Sequence, residues 1–102
     1  MSTKEQLQCI NKTIELTNNR KEKVDTIYDY ISNQLDYIKA CILDQNVDRT
    51  KLRDVNIGAL AVREFYDDIE YSDLLKRTYF IVYYIQDGKP VPKTDEKGNI
   101  IV

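Results

Sequence analysis

The sequence predicts an all-α fold: a small bundle of four main helices, made of a long helical hairpin plus two further helices, with a short C-terminal tail. Apolar residues recur every three or four positions through most of the chain, as they do along the buried face of an α-helix. Short polar stretches with turn-forming residues separate these segments. The chain has 102 residues, a length that suits one domain with one hydrophobic core.

The first predicted helix begins at a capping box, in which the side chains of Ser2 and Glu5 accept hydrogen bonds from free backbone N–H groups. Ile10 and Ile14 follow at helical spacing. Residues 17–20 are all polar, and we expect them to form a turn rather than a buried segment. Because this connection is short, the first two helices are predicted to pair as an antiparallel hairpin.

The second predicted helix spans residues 21–43 and is the spine of the fold. A polar, turn-prone stretch follows it, in which Asp48 is predicted to cap a short turn over residues 49–53. One apolar stripe runs through the helix without a break, and its members are Val24, Ile27, Tyr28, Ile31, Leu35, Ile38 and Ile42.

The third predicted helix spans residues 56–65 and contains Gly58. Glycine costs about 1 kcal/mol relative to alanine inside a helix, so its presence requires a compensating reason. We expect that reason to be the close approach of a neighbouring helix at this position.

The fourth predicted helix spans residues 69–86, with Asp68 as its N-cap and Gly88 as the residue that terminates it. The run 79–85 is rich in strand-favouring residues, so periodicity alone leaves a buried strand open. Apolar positions at helical spacing favour the helix, and they place Tyr79 in the core.

The chain is predicted to divide into a helical domain over residues 1–88 and a tail over residues 89–102. The tail contains the pair Lys97-Gly98, which is typical of turns and fits a small hairpin or an extended segment. We expect the tail to have no hydrophobic core of its own.

The charge balance argues against a nucleic-acid partner. Lys and Arg number 15 and Asp and Glu 17, for a net charge of −2, whereas phosphate backbones need concentrated basic surface. No apolar run reaches the length of a membrane span, and the first residues lack the pattern of a signal peptide. We therefore expect a cytoplasmic protein without a membrane partner, in which Cys9 and Cys41 are free thiols.

Residue types that carry catalysis are sparse. The chain has no histidine and three glycines, which leaves no imidazole base, no activated cysteine and no phosphate-cradling loop. The cysteines lack metal-ligand spacing, so we expect no enzyme activity, no metal and no cofactor. The start of the fourth helix is rich in acids, as helix starts commonly are, and carries Asp67, Asp68, Glu70 and Asp73. A different interpretation of this cluster is a small enzyme that uses Asp67, Asp68 and Glu70.

Several motifs between residues 30 and 88 resemble a known protein family. The most specific stretch runs from Gly58 to Phe65, at a fixed distance from Asp48-Arg49. The residues that carry the likeness are Gln34-Leu35-Asp36-Tyr37-Ile38, Ile42-Leu43-Asp44, Asp48-Arg49, Leu52, Gly58, Ala61-Val62-Arg63-Glu64-Phe65, Leu74 and Tyr79. With these residues the chain resembles the small immunity proteins of type VI secretion systems that protect against NAD(P)+ glycohydrolase effectors.

The resemblance implies a helical fold, no enzyme activity, and tight binding to a secreted toxin domain whose active site is thereby occluded. This binding would take place in the bacterial cytoplasm. The alternative from another class is a helical adaptor or regulatory subunit that binds a non-toxin protein. A homodimer also stays open.

The position of a partner-binding surface is predicted by elimination. Stripe residues are needed for the core, and what remains is acid-rich and includes many of the eight tyrosines, whose rings give large contact areas with a polar tip. An acidic surface would complement an electropositive dinucleotide pocket and would speed association. The predicted toxin-binding residues are Glu64, Tyr66, Asp67, Asp68, Glu70 and Tyr71, with Asp29, Asp36 and Tyr37 from the second helix.

Overall fold

The computed structural model describes residues 1–20, 26–95, 97 and 99–101. Within these residues the fold consists of four α-helices and forms no β-strand, so the predicted all-α bundle is confirmed. No helix in the described part of the chain is long and apolar enough to cross a bilayer. The helices are α1 (Thr3–Arg20), α2 (Ile27–Leu43), α3 (Ile57–Glu64) and α4 (Ile69–Gln86), and a short 3-10 helix (Thr50–Asp54) lies between α2 and α3.

The start of α1 is the predicted capping box. The Ser2 backbone N–H donates to Glu5 Oε1 at 3.2 Å, and the Glu5 backbone N–H donates to Ser2 Oγ at 3.2 Å. The hydrogen bond from the Ser2 backbone N–H stabilises the Glu5 carboxylate, so the pKa of Glu5 lies below its ordinary value.

The end of α1 differs from the prediction, because residues 17–20 continue the helix instead of forming a turn. Thr17 is fully buried. Its hydroxyl lies 2.8 Å from the Thr13 carbonyl oxygen, to which it donates, and 2.9 Å from the Tyr71 hydroxyl. A buried polar group is tolerated when it is hydrogen-bonded, and both partners are provided here by the folded chain.

The core is built on α2, which packs against α1. Ile31, Leu35 and Ile38 on its apolar stripe are completely buried, as the stripe predicts. The described part of α2 begins at Ile27, and the predicted first turn, with Val24, lies outside the described residues.

Polar side chains line the contact between α1 and α4. The Thr13 and Thr78 hydroxyl oxygens lie 3.0 Å apart, and Cys9 Sγ lies 3.8 Å from Thr78 Oγ1. All three side chains are buried. Such a fully paired polar row favours one register of the two helices, since sliding either helix would leave a buried hydroxyl unpaired. Cys9 and Cys41 are both buried and free, as predicted.

Helices α3 and α4 meet at Gly58. A Cβ atom built on Gly58 would lie 2.8 Å from Cγ and Cδ2 of Tyr79, so the predicted close approach at this glycine is confirmed. The prediction that Tyr79 lies in the core is wrong, because its side chain is 39% exposed. Tyr79 covers Gly58 at the edge of the helix pair, while Leu75 and Thr78 take the buried positions of α4.

The predicted caps of α4 are both present. Asp68 accepts a hydrogen bond from the Tyr71 backbone N–H at its start. Gly88 has a φ of 68°. Its N–H donates to the Ile85 carbonyl at 3.1 Å, and the Lys89 N–H donates to the Tyr84 carbonyl at 3.0 Å. This pair of hydrogen bonds is the Schellman arrangement, which ends the helix at a residue with left-handed backbone.

The tail folds back on the helices. Val91 is buried in the shared core, and the Met1 amino group donates to the Val91 carbonyl. Thr94 and Ile100 form one antiparallel bridge, so the tail takes a hairpin-like form. In the predicted turn pair Lys97-Gly98, only the lysine lies within the described residues. The division of the chain after residue 88 stays a prediction.

Candidate protein-binding surface

An exposed surface forms where α3 turns into α4. Phe65 fixes the turn from inside, since its side chain is buried and its carbonyl accepts the Asp68 N–H at 3.0 Å. The residues around it point outward: Tyr66 is 76% and Ile69 71% exposed. We call this region the turn surface, and it consists of Val62, Glu64, Tyr66, Asp67, Ile69 and Glu70, all of them exposed.

Aromatic packing holds the turn surface in place. The Phe65 and Tyr71 rings meet edge to face with centroids 4.9 Å apart, and Tyr28 of α2 lies 5.7 Å from Phe65 and 6.2 Å from Tyr71. Ring pairs at these distances add to the stabilisation that burial gives. The exposed residues of the turn are therefore mounted on a rigid base to which α2, α3 and α4 all contribute.

Asp68 is one of the predicted toxin-binding residues, but its carboxylate is hydrogen-bonded to other residues of the same chain. Arg20 donates to both carboxylate oxygens, at 2.8 and 3.1 Å, and Tyr71 donates its backbone N–H to the same group at 3.4 Å. The hydrogen bonds to Asp68 raise the pKa of the Arg20 guanidinium. Asp68 thus joins the end of α1 to the start of α4.

Tyr71 is placed differently from the prediction, which put it on the exposed surface. Its side chain is completely buried, so its ring offers no area to a partner in this conformation. Its hydroxyl pairs with Thr17, and the Arg20 guanidinium lies 4.9 Å from its ring centroid. Burial raises the pKa of Tyr71 to about 12.

The three residues of α2 that are predicted to bind the toxin do not form one patch with the turn surface. Asp29 is exposed and follows Tyr28, which contacts Phe65, so Asp29 lies at the same end of the molecule as the turn. Asp36 is exposed about 10 Å farther along α2, at a rise of about 1.5 Å per residue. Tyr37 is half-buried and donates its hydroxyl to the Asp48 carbonyl.

Tyr37 instead lines an apolar groove of about 350 Å³ between α2 and the 3-10 helix. Tyr30 and Val55 form other parts of its wall. Beside the groove, Gln34 Nε2 donates to Asn56 Oδ1 at 2.8 Å and Gln34 Oε1 accepts the Asn56 N–H at 2.9 Å. This reciprocal pair ties α2 to the start of α3 and gives the groove a fixed shape.

Sequence reasoning missed two of the three apolar members of the turn surface, Val62 and Ile69. Val62 is 60% exposed, and it lies one helical turn after Gly58. Ile69 directly follows the N-cap residue of α4. The sequence pattern alone does not separate them from buried apolar residues, since Ile57, also the first residue of a helix, is fully buried.

The side chains of the turn surface are suited to non-covalent binding. Groups of three or more side chains able to hold a metal ion are absent from the described residues. The turn surface combines three apolar side chains with three carboxylates, an arrangement that suits contact with another macromolecule.

Comparison with known proteins connects this fold to a family. A sequence model of the Tsi6 family matches residues 5–83, which include all of α1 to α3 and most of α4. The chain belongs to the Tsi6 family. The resemblance to type VI secretion immunity proteins inferred from the sequence is thereby confirmed at the level of the family.

Two relatives show how far the similarity extends. The chain is 41% identical over 49 residues to the immune protein Tsi6 of Pseudomonas aeruginosa, a match that covers 47% of this chain and 52% of that protein. The chain therefore spans about half the length of the curated relative that it matches. A chain in the solved structure of Tse6 in complex with Tsi6 superposes with a TM-score of 0.83 at 27% identity, over 92% of this chain and 100% of that one.

Proposed function

We propose that this chain is an immunity protein that binds a secreted toxin domain and blocks its activity. The observation that carries the proposal is the TM-score of 0.83 with a chain from a structure of Tse6 in complex with Tsi6, over 92% of this chain. Family membership over residues 5–83 supports the same conclusion. The exposed, rigidly mounted turn surface provides a physical means of binding.

The proposal extends to the type of toxin and the place of action. The motifs between residues 30 and 88 suggest an NAD(P)+ glycohydrolase delivered by a type VI secretion system, met in the bacterial cytoplasm. Two buried free thiols suit a reducing compartment of that kind. The chain itself would catalyse nothing and would act by covering the toxin's active site.

The turn surface is the proposed centre of contact. Val62, Tyr66 and Ile69 supply apolar area, and tyrosine is enriched among the residues that dominate binding energy. Glu64, Asp67 and Glu70 surround them with negative charge. The matching partner surface has an apolar centre and a basic rim, and charges of opposite sign speed the encounter.

The helical part of the chain, residues 1–88, is proposed to carry this binding. The turn surface lies within the family match, whereas residues 84–102 lie beyond it. The tail in this proposal supports the helices through Val91, which is buried in their core.

Co-purification with the cognate toxin domain, to be sought among the neighbouring genes, tests the proposal. We expect the wild-type chain to be retained by the tagged toxin domain, and Tyr66→Ala to weaken binding by at least about tenfold, as loss of a binding hot spot does. Tyr83→Ala is the matched control, because Tyr83 is also an exposed tyrosine, at 59%, but lies near the other end of α4.

Failure of the wild-type chain to bind that toxin domain would overturn the proposed function. Equal weakening by Tyr66→Ala and Tyr83→Ala would leave the function standing but would contradict the turn surface as its centre. The groove beside Tyr37, or the polar side of α2 at Asp36, would then be the next surface to test.

A further inference from the structure

Arg20, the last residue of α1, meets Asp68 at the start of α4. Its side chain is 21% exposed. Nε lies 2.8 Å from Asp68 Oδ2 and Nη2 lies 3.1 Å from Asp68 Oδ1, while Nη1 donates to the Leu16 carbonyl oxygen at 3.3 Å. A guanidinium fork of this kind fixes the orientation of the carboxylate as well as its position, because two donors meet two oxygens.

Asp68 depends on Arg20 for most of its side-chain contacts. Three hydrogen bonds reach its carboxylate from the described residues, and the two shorter ones come from Arg20. The third, from the Tyr71 backbone N–H, is long at 3.4 Å, and a hydrogen bond of that length is weak. Without Arg20 the Asp68 side chain would keep only this weak bond, so its orientation would no longer be fixed.

The same turn of α1 also holds Tyr71. The Arg20 guanidinium lies 4.9 Å from the Tyr71 ring centroid, where a cation is attracted to the face of the ring. The Thr17 hydroxyl lies 2.9 Å from the Tyr71 hydroxyl. The two residues between Asp68 and Tyr71 in the chain are exposed members of the turn surface, so α1 holds the chain on both sides of them.

Arg20 itself offers little to a partner. Each of the three nitrogen atoms of its guanidinium already donates to an oxygen of the chain. The side chain is also mostly buried. An effect of Arg20 on binding would therefore be transmitted through Asp68 and Tyr71.

We infer that Arg20 is a positioning residue for toxin binding, which fixes Ile69 and Glu70 in the orientation that the partner meets. This role of Arg20 rests on the proposed function and on the turn surface as the centre of contact. Groups that are already ordered lose less conformational entropy on binding, and a binding site is more precise when supporting residues hold it in place. Without Arg20 the same residues stay exposed but sample more orientations, so affinity falls although no contact with the toxin is removed.

Amide hydrogen exchange in the free chain tests the positioning without any toxin. We expect Arg20→Met to speed exchange of the Tyr71 backbone N–H at least about fivefold, because its acceptor is no longer held in place. Arg49→Met is the matched control and should leave this rate within about twofold. Arg49 also donates to a carbonyl oxygen, that of Cys41 at 2.9 Å, but near the end of α2 that lies away from the turn surface. Equal exchange rates in the wild type and Arg20→Met would overturn the inference.

Affinity for the toxin domain, measured by isothermal titration calorimetry, tests the consequence for binding. Arg20→Met should weaken binding at least about fivefold, and Arg49→Met by less than about twofold. In an Asp68→Asn background Arg20→Met should weaken binding by less than about twofold, because the partner of the fork is already changed. Arg20→Lys keeps the charge but lacks the fork. It provides a second variant should Arg20→Met fail to fold, and it should weaken binding at least about threefold.

The positioning role is overturned if Arg20→Met leaves the affinity within about twofold of the wild type, or if Arg49→Met weakens binding as much. An equal effect of Arg20→Met in the wild type and in the Asp68→Asn background would also overturn it, since Arg20 would then contact the toxin itself. If the wild-type chain does not bind the toxin domain, the proposed function fails instead, and the exchange rates alone decide whether Arg20 orders the turn.

Discussion

At Gly58 the helices α3 and α4 approach closely, because a Cβ there would lie 2.8 Å from the Tyr79 ring. Alanine at this position gains up to about 1 kcal/mol of helix propensity, but the ring must move. Overpacking of this kind costs about 1–3 kcal/mol. We expect Gly58→Ala to lower the free energy of unfolding by about 1 kcal/mol, as measured by urea denaturation.

The loss of stability should disappear when the ring is removed. In a Tyr79→Ala background the ring is gone and the Cβ of residue 79 remains 3.2 Å from the added methyl group, so Gly58→Ala should be neutral or should stabilise the protein by up to about 0.5 kcal/mol. If Gly58→Ala destabilises both backgrounds equally, close contact with Tyr79 is not the reason for this glycine.

Because Tyr71 is buried, the free energy of unfolding should depend on pH in the alkaline range. The pKa of Tyr71 rises to about 12 in the folded protein, from an ordinary value of 10.0. The folded state therefore holds this proton more tightly, and the resulting stability is fully present below pH 10 and is lost as the pH rises through 12. Two pKa units correspond to roughly 2–3 kcal/mol.

Chemical denaturation at several pH values between 9 and 12 measures this loss. Tyr71→Phe is the control: it removes the titrating hydroxyl, costs about 1 kcal/mol for the hydrogen bond to Thr17, and should give a shallower pH dependence. Identical slopes for the two proteins would show that Tyr71 does not titrate in the folded state as described.

Tyr71 and Tyr79 also show where residue-level prediction from the sequence stops. Both lie on α4, and the periodicity of apolar residues favoured Tyr79 for the core and Tyr71 for the surface. The outcome is the reverse, because the Thr17 hydroxyl on α1 gives the Tyr71 hydroxyl a buried partner 54 residues away. A tyrosine is buried when such a partner exists, and a single sequence does not show that partner.

At the scale of elements, the ion pair of Arg20 with Asp68 joins α1 to α4. Asp68→Ser should keep an oxygen that caps α4 but remove the ion pair, whose two side chains are 21% and 33% exposed. Because solvent screens such a pair, we expect a loss of about 1 kcal/mol in the free energy of unfolding.

Urea denaturation in low and high salt checks this effect. Asp68→Ser in an Arg20→Met background should cost clearly less than in the wild type, since the pair is already broken there. An equal cost in both backgrounds would mean that capping, rather than the ion pair, accounts for the role of Asp68.

Element boundaries were predictable where local chemistry sets them. Helix α4 spans Ile69–Gln86 as predicted, because the Asp68 cap and the Gly88 terminus lie within a few residues of its ends. The end of α1 was missed, since Thr17 is retained in the helix through a contact between distant elements. Long-range pairing of polar groups has no signature in a single sequence.

At the scale of the whole molecule, part of the candidate site was predictable. Glu64, Tyr66, Asp67 and Glu70 do lie together and exposed at the α3–α4 turn. Removing the core residues from consideration was enough to find them, whereas the exposed Val62 and Ile69 could be found only from the fold. Whether this surface meets a toxin stays a prediction.

Charge on the turn surface should affect how fast the complex forms. Asp67→Lys reverses one rim charge, and rim charges act mainly on the association rate. We expect a decrease of about tenfold in that rate at low salt, with a smaller effect at high salt, measured by surface plasmon resonance with the toxin domain. Asp87→Lys, the same reversal just after α4 ends, should change the rate by less than about twofold.

The most direct test of the central claim is NAD+ consumption by the cognate toxin domain, measured while the purified chain is added in increasing amounts. Binding that occludes the active site predicts that hydrolysis falls in proportion to the chain added and stops near a ratio of one to one. Undiminished NAD+ hydrolysis at a clear molar excess of this chain would contradict the account.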